Sequence, residues 1–170
     1  MSSHASDPST PDRGRLPHHL EVPFQAPDPS TPAGEKILRR LREELILWLI
    51  TVDASGMPHA LPLSFLWDEA QSTFLIYTVA EEDPDRRASY VRQNPKVGLH
   101  FNLDLSGLDP FILTGEAKVS LEDPPFDQVP AWVAKYQAFF SQVGGLTIQQ
   151  AAVVVPVALR IRPLTMMATS

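Results

Sequence analysis

From Leu47 onward, apolar and polar positions alternate with a period of two over most of the chain, the mark of strands buried on one face. Trp48 to Val52 is the first such run, and Asp53-Ala54-Ser55-Gly56 supplies the residues of a tight turn. His59 to Trp67 returns as the second arm of that hairpin. Asp68 to Ser72 turns the chain again, and Thr73 to Val79 forms a third strand. Val97 to Phe101, Phe111 to Ser120 and Val153 to Ile161 complete the set, the last interrupted by Pro156, which predicts a kink or an edge. Six strands with few helices in about 130 residues predict a closed or nearly closed antiparallel barrel.

Helical periodicity appears in three places. Ile37, Leu38, Leu41 and Leu45 recur at helical spacing behind Thr31-Pro32, an N-cap followed by proline at the first helical position. Arg39, Arg40 and Arg42 lie on the other side, as a solvated face or as cations for an anionic ligand tail. A second helix is expected over Pro84 to Gln93, stopping before Asn94-Pro95, and a third over Ala131 to Val143, stopping at Gly144-Gly145.

The first 34 residues read differently. Prolines crowd them, large apolar residues are few, and Asp7-Pro8-Ser9-Thr10-Pro11 returns as Asp28-Pro29-Ser30-Thr31-Pro32. Such a segment buries too little surface to offset its ordering entropy. Residues 1–34 are therefore expected to be a flexible tail. The alternative is an arm that crosses to a partner subunit through Leu20, Val22 and Phe24. The expected domain runs over 35–166, with a short C-terminal tail over 167–170.

Composition narrows the chemistry. The 170 residues include no cysteine, so disulfides, thiolate metal sites and a cysteine nucleophile are excluded. The net charge of −6 disfavours non-specific nucleic-acid binding, which needs many cations facing phosphates. The longest apolar runs fall far short of the ~20 residues that span a bilayer. No apolar N-terminal stretch marks a secretion signal, and a soluble cytoplasmic protein is expected. GxxxxGK, GxGxxG after a strand, HExxH and a serine elbow are all missing. Periodicity and composition together stop at a soluble β-barrel.

Motif order goes further. Phe74-Leu75-Ile76-Tyr77-Thr78, then Arg86-Arg87, then Asn94-Pro95-Lys96-Val97-Gly98-Leu99-His100-Phe101 resembles the pyridoxamine 5'-phosphate oxidase-like superfamily of flavin-binding split barrels. Gly56-Met57-Pro58-His59-Ala60-Leu61-Pro62-Leu63 is similar to that superfamily's hairpin, and Thr114-Gly115-Glu116-Ala117 to one of its later strands. The resemblance covers roughly residues 36 to 165. Val129 to Tyr136, Leu41 to Glu44 leading into Trp48-Leu49, and Phe65 to Asp68 resemble the members that use the deazaflavin F420.

The resemblance implies a mainly β, six-stranded antiparallel split barrel with a few peripheral helices. It implies a homodimer with F420, or FMN as the close alternative, held between the two copies. Arg86 and Arg87 fall where the superfamily places a phosphate-binding basic pair, and arginine's planar fork suits that contact. Thr78 adds a hydroxyl at the end of its strand, and Tyr77 is a cofactor contact beside it or core on the alternate face. Backbone groups of Leu61, Pro62, Leu63 and Ser64 are implied to lie along the ring, with Pro62 offering only its carbonyl. On the residues alone, Arg86 and Arg87 read first as surface partners of Glu81, Glu82 or Asp83, and Leu61 to Ser64 as ordinary strand.

The implied activity is hydride transfer between the cofactor and a small unsaturated or carbonyl-bearing substrate. Trp48, Trp67, Trp132, Tyr136 and Phe140 are candidates for its apolar wall or for the core. No catalytic acid is assigned, since His59 and His100 both fall inside strands. Tyr90 stands where many relatives have asparagine, and Pro110 and the non-basic ending Leu164-Thr165-Met166-Met167 depart from the vitamin B6 oxidases, so that activity is not expected. Two other readings stand beside it: a non-catalytic carrier or sensor of flavin, F420 or haem, with His59 or His100 as axial ligand, and a plain interaction barrel.

Overall fold

The computed structural model describes residues 19–80, 87–102, 110–143 and 145–169. In chain order the elements are β1 (His19–Pro23), α1 (Pro32–Glu43), β2 (Ile46–Val52), β3 (Pro58–Asp68), β4 (Thr73–Thr78) and α2 (Arg87–Gln93). Then follow β5 (Lys96–Phe101), β6 (Ile112–Ser120), a 3-10 turn (Phe126–Gln128), α3 (Pro130–Val143), α4 (Ile148–Val154) and β7 (Val157–Thr169). All strand pairings are antiparallel. The order β7-β4-β3-β2-β5-β6 closes on itself through β6–β7, and β1 adds an outside strand to β7. This is the six-stranded barrel expected from the alternation.

The inward row of each strand fills the barrel. Leu47 and Leu49 of β2, Phe65 and Trp67 of β3, and Phe74 and Ile76 of β4 are all buried there. Each such side chain contributes roughly 1.5–3 kcal/mol through burial. α1 begins as its sequence predicts: the Thr31 hydroxyl accepts from the Gly34 amide, and Pro32 opens the helix. A second apolar cluster lies outside the barrel. There α3, α4 and the 3-10 turn press Trp132, Tyr136, Phe126 and Ile148 onto Leu75, Tyr77 and Ala158, the outward row of β4 and β7.

The structure corrects the sequence reading in several places. Residues 19–23, assigned to the tail, form β1 along the end of β7, from His19↔Thr169 to Pro23↔Thr165. Phe24 turns onto Trp67 of the same chain, with ring centroids 5.9 Å apart. It therefore anchors within its own subunit. Residues 1–18 lie outside the described residues. At the other end, β7 continues through Thr169, so residues 167–169, assigned to the C-terminal tail, belong to the last strand. Residues 153–154, read as the start of the last strand, are the end of α4, and Pro156 stands before the strand instead of inside it.

β7 is long enough to serve three neighbours. One edge carries β4 over Val157 to Ile161 and β1 beyond Thr165, while β6 runs along the other edge. A register shift between Thr114 and Gly115 lets β6 follow its bend at Pro163. A Cβ at Gly115 would sit 2.8 Å from the Arg162 carbonyl oxygen. Gly115→Ala is therefore expected to cost about 1–3 kcal/mol, as over-packing against backbone does. A lowered denaturant midpoint with an unchanged slope checks it.

Candidate functional site

The barrel is split between β3 and β4. β4 pairs with β3 only from Phe65↔Ile76 to Asp68↔Thr73. Beyond that point β4 follows β7, through Tyr77↔Ala158 and Thr78↔Val157. β3 follows β2, from Ser64↔Ile46 to Pro58↔Val52. The β3 backbone over Leu61, Pro62, Leu63 and Ser64 thus has no β4 partner on the side facing the opening. Leu61 and Leu63 point along the inward row yet stay half-buried, because no strand covers them there. The Leu61 to Ser64 strand and the Tyr77-Thr78 strand end form the two lips of this opening.

Polar side chains gather at one end of the barrel. Thr51 of β2 is fully buried, and the Arg87 guanidinium of α2 donates from Nη1 to its hydroxyl at 3.2 Å. Arg87 is itself only 5% exposed. A charge so deep inside needs partners that justify its desolvation. Thr78 is 1% exposed, and its hydroxyl oxygen finds no hydrogen-bond partner among the described residues. Buried hydroxyls are normally paired, so Thr78 offers a free donor and acceptor beside the opening. Arg86 lies outside the described residues, as do Glu81, Glu82 and Asp83.

His59 stands directly across from Thr51 in the β2–β3 ladder, so both side chains leave the same face. Its Nε2 lies 2.9 Å from Asp53 Oδ2, and its ring stacks on Tyr90 of α2 with centroids 5.1 Å apart. The Ser55 hydroxyl first, then His59 and the Met57 amide, hold the Asp53 carboxyl well below the usual carboxylate range. Asp53 is therefore an anion at neutral pH and accepts the Nε2 proton.

The Tyr77 side chain lies in the core on the alternate face, the second of the two readings open to it in the sequence. Its ring packs edge-on against Trp132 and Phe126, and its hydroxyl donates to the Pro124 carbonyl at 2.6 Å. Burial, reinforced by Asp123, pushes that phenol up to about 12. Only its backbone remains available to the opening. The candidate substrate wall also divides. Trp67, Trp132 and Tyr136 are core. Trp48 is 38% exposed on the outer face and donates to Asn102. Arg40 and Arg42 meet Glu44 and Glu69, so neither forms a free cationic patch.

Sequence reasoning missed Thr51 as the partner of Arg87 because nothing local links β2 to α2. The Asp53–His59 pair was closer to legible, since a hairpin turn brings residues six apart together. No cluster of three or more His, Asp or Glu side chains able to hold a metal occurs among the described residues. No helix there is long and apolar enough to cross a membrane.

A closed antiparallel barrel opened between two strands, with a buried cation and an unpaired hydroxyl at the opening, defines a split β-barrel. The family model of pyridoxamine 5'-phosphate oxidase matches residues 33–161, and the chain belongs to that family. Solved structures share the fold at low identity. A Listeria innocua protein assigned by inference as a pyridoxamine 5'-phosphate oxidase is 21% identical, with a TM-score of 0.55 over 80% of this chain and 98% of its own. An F420 reductase is 18% identical, with a TM-score of 0.55 over 75% of this chain and 94% of its own. An FAD-binding protein from Mesorhizobium loti is 12% identical, with a TM-score of 0.52 over 90% of this chain and all of its own. Identities this low speak to fold alone. Among proteins of curated function, none matches the chain in sequence.

Proposed function

We propose that this chain is an oxidoreductase that binds F420, with FMN as the close alternative, and passes a hydride to or from a small unsaturated or carbonyl-bearing molecule. The observation that carries the reading is the opening between β3 and β4, with Arg87 and the unpaired Thr78 hydroxyl at its end. An anionic phosphate supplies a charge opposite to the buried guanidinium and a partner for the buried Thr78 hydroxyl. Arg86, next to Arg87 in sequence, is proposed as the second cation. The free backbone edge of Leu61 to Ser64 offers carbonyls and amides to a planar ring, and Leu61 and Leu63 offer it an apolar floor. When bound, the flavin-type ring supplies the hydride chemistry. The chain's own part is to orient the ring along β3, fix its phosphate and exclude water.

The same reading includes a homodimer. The outward row across β3, β2 and β5 aligns Pro62, Trp48 and His100, with Ala60, Ile50 and Gly98 alongside. Trp48 and Pro62 are exposed in the single chain. An apolar strip bordering the opening suits a second copy that covers both. The similarity of Val129 to Tyr136 and of Phe65 to Asp68 to the F420-using members supports F420 over FMN.

An absorbance spectrum of the purified protein, with mass spectrometry of whatever denaturation releases, tests the cofactor directly. A deazaflavin or flavin spectrum is expected. A Soret band, or no binding of either cofactor at micromolar concentration, removes the reading. Replacing Arg86 and Arg87 together by alanine is expected to weaken cofactor binding by about a hundredfold, the scale of two charge-assisted contacts. Fluorescence titration measures it, and unchanged affinity discards the phosphate site.

A further inference from the structure

α2 has seven residues, too few to hold a helical shape or an orientation by itself. Its placement is decided by what it touches. Ala88 and Val91 are buried and set how deeply it sits. Burial of two small apolar residues does not fix rotation about the helix axis. Beside the buried Arg87, bonded to Thr51, a further constraint is available from Tyr90, one turn after Arg87 and so on the same side of the helix. The Tyr90 ring lies on the His59 ring at an interplanar angle of 25°.

His59 is itself held. Its Nε2 donates to Asp53 Oδ2. Asp53 is fixed by the hairpin turn, where its Oδ1 accepts from the Ser55 amide at 2.8 Å, the Ser55 hydroxyl at 2.6 Å and the Met57 amide at 3.0 Å. A series of contacts therefore runs from a rigid turn through Asp53, His59 and Tyr90 to the helix that carries Arg87. Both ends meet at one rung of the barrel, because Thr51, which receives Arg87, pairs with His59.

We infer that Asp53, His59 and Tyr90 are positioning residues that hold α2 in the rotation at which Arg87 can meet a bound phosphate. The inference rests on the phosphate reading of Arg87. It adds a second layer to that site, in which an imidazole-on-phenol stack does the orienting and touches no ligand. A general stabilising role predicts equal damage to every ligand of the barrel. A positioning role predicts damage only to ligands that carry the phosphate.

The test compares a cofactor with its phosphate-free counterpart, FMN with riboflavin or F420 with its bare deazaflavin chromophore, by fluorescence titration of the full chain. Tyr90→Ala and His59→Ala are each expected to weaken the phosphorylated ligand by about tenfold while changing the phosphate-free one by less than about twofold. Tyr90→Phe, which keeps the stack, is expected to stay within about twofold of the parent. If Tyr90→Ala fails to fold by circular dichroism, Tyr90→Leu gives the same readout. Equal weakening of both ligands, unchanged binding of both, or a Tyr90→Phe variant as weak as the alanine would overturn the inference. Arg87→Ala alone separates the two layers. If it leaves phosphate discrimination intact, the phosphate reading fails with the inference. If it abolishes discrimination while Tyr90→Ala does not, only the positioning role fails.

Discussion

Arg160→Met is expected to destabilise the protein by about 3 kcal/mol, through two half-buried carboxylates left without their cation. The Arg160 guanidinium on β7 joins three parts of the chain. It holds Asp123 with two bonds, at 2.8 Å and 2.5 Å, and Asp68 with one at 2.9 Å. It also reaches the Thr73 hydroxyl at 3.1 Å. Its side chain is 14% exposed, and those of Asp123 and Asp68 are 13% and 22% exposed. Methionine keeps much of the volume but none of the donors. A drop in melting temperature of roughly 6–12 °C follows for a chain of this size. If the loss comes from the stranded carboxylates, Asp123→Asn in the same background restores part of it, as a double-mutant cycle would record. A shift under 1 kcal/mol would mean that water replaces the guanidinium.

The same group sets an acid limit. Arg160 holds the Asp123 carboxyl below its ordinary value of 3.8. A carboxylate lowered in the folded state binds fewer protons there than in the unfolded chain. Its contribution is complete above about pH 4 and is lost as pH falls further. That component of acid unfolding disappears in Arg160→Met, because the partner that lowers Asp123 is gone.

The closed barrel was legible in the sequence because alternation is a local signal and the inward row needs no distant partner to declare itself. α1 was legible for a similar reason, since Thr31-Pro32 states its own start. Failures fall where distant contacts outweigh local pattern. Val153 to Val155 reads as strand because β-branched residues favour strands, yet residues 153–154 end α4. Thr147 and Gln150 form a reciprocal capping box at its start, and Ile148, Ala151 and Ala152 bury against the second core. The Thr-x-x-Gln spacing was the available signal. β1 was hidden because a five-residue strand in a proline-rich segment exists only through its pairing with the end of β7. That end was hidden in turn by Pro163, which sits opposite Gly115 beside the register shift.

For the site, motif order located both lips of the opening and the helix bearing Arg87. It offered Thr78 as the hydroxyl contact and left Tyr77 open as core on the alternate face. Alternation makes their side chains diverge: Thr78 enters the barrel end, and Tyr77 joins the second cluster. Which face belonged to which depended on α3 covering the outside of β4, a contact that no spacing within β4 reveals.

That outer cluster carries the second large expected effect. Trp132→Ala is expected to cost about 4 kcal/mol, the usual scale for truncating a fully buried tryptophan. Trp132 is 1% exposed and touches Tyr77, Phe126 and Tyr136, with ring centroids at 4.9, 5.6 and 5.0 Å. Its indole nitrogen has no hydrogen-bond partner among the described residues. The loss is therefore one of packing alone, and Trp132→Phe, which keeps an aromatic ring there, is expected to cost under about 1.5 kcal/mol. A melting temperature lower by roughly 8–16 °C for the alanine variant checks the first value. The cluster braces β4 from outside, while Phe74 and Ile76 brace it from within. If α3 were a loosely attached appendage, Trp132→Ala would leave the main transition in place and add a separate early one. One cooperative transition at lower temperature is expected instead, because Tyr77 belongs to both the cluster and the barrel wall.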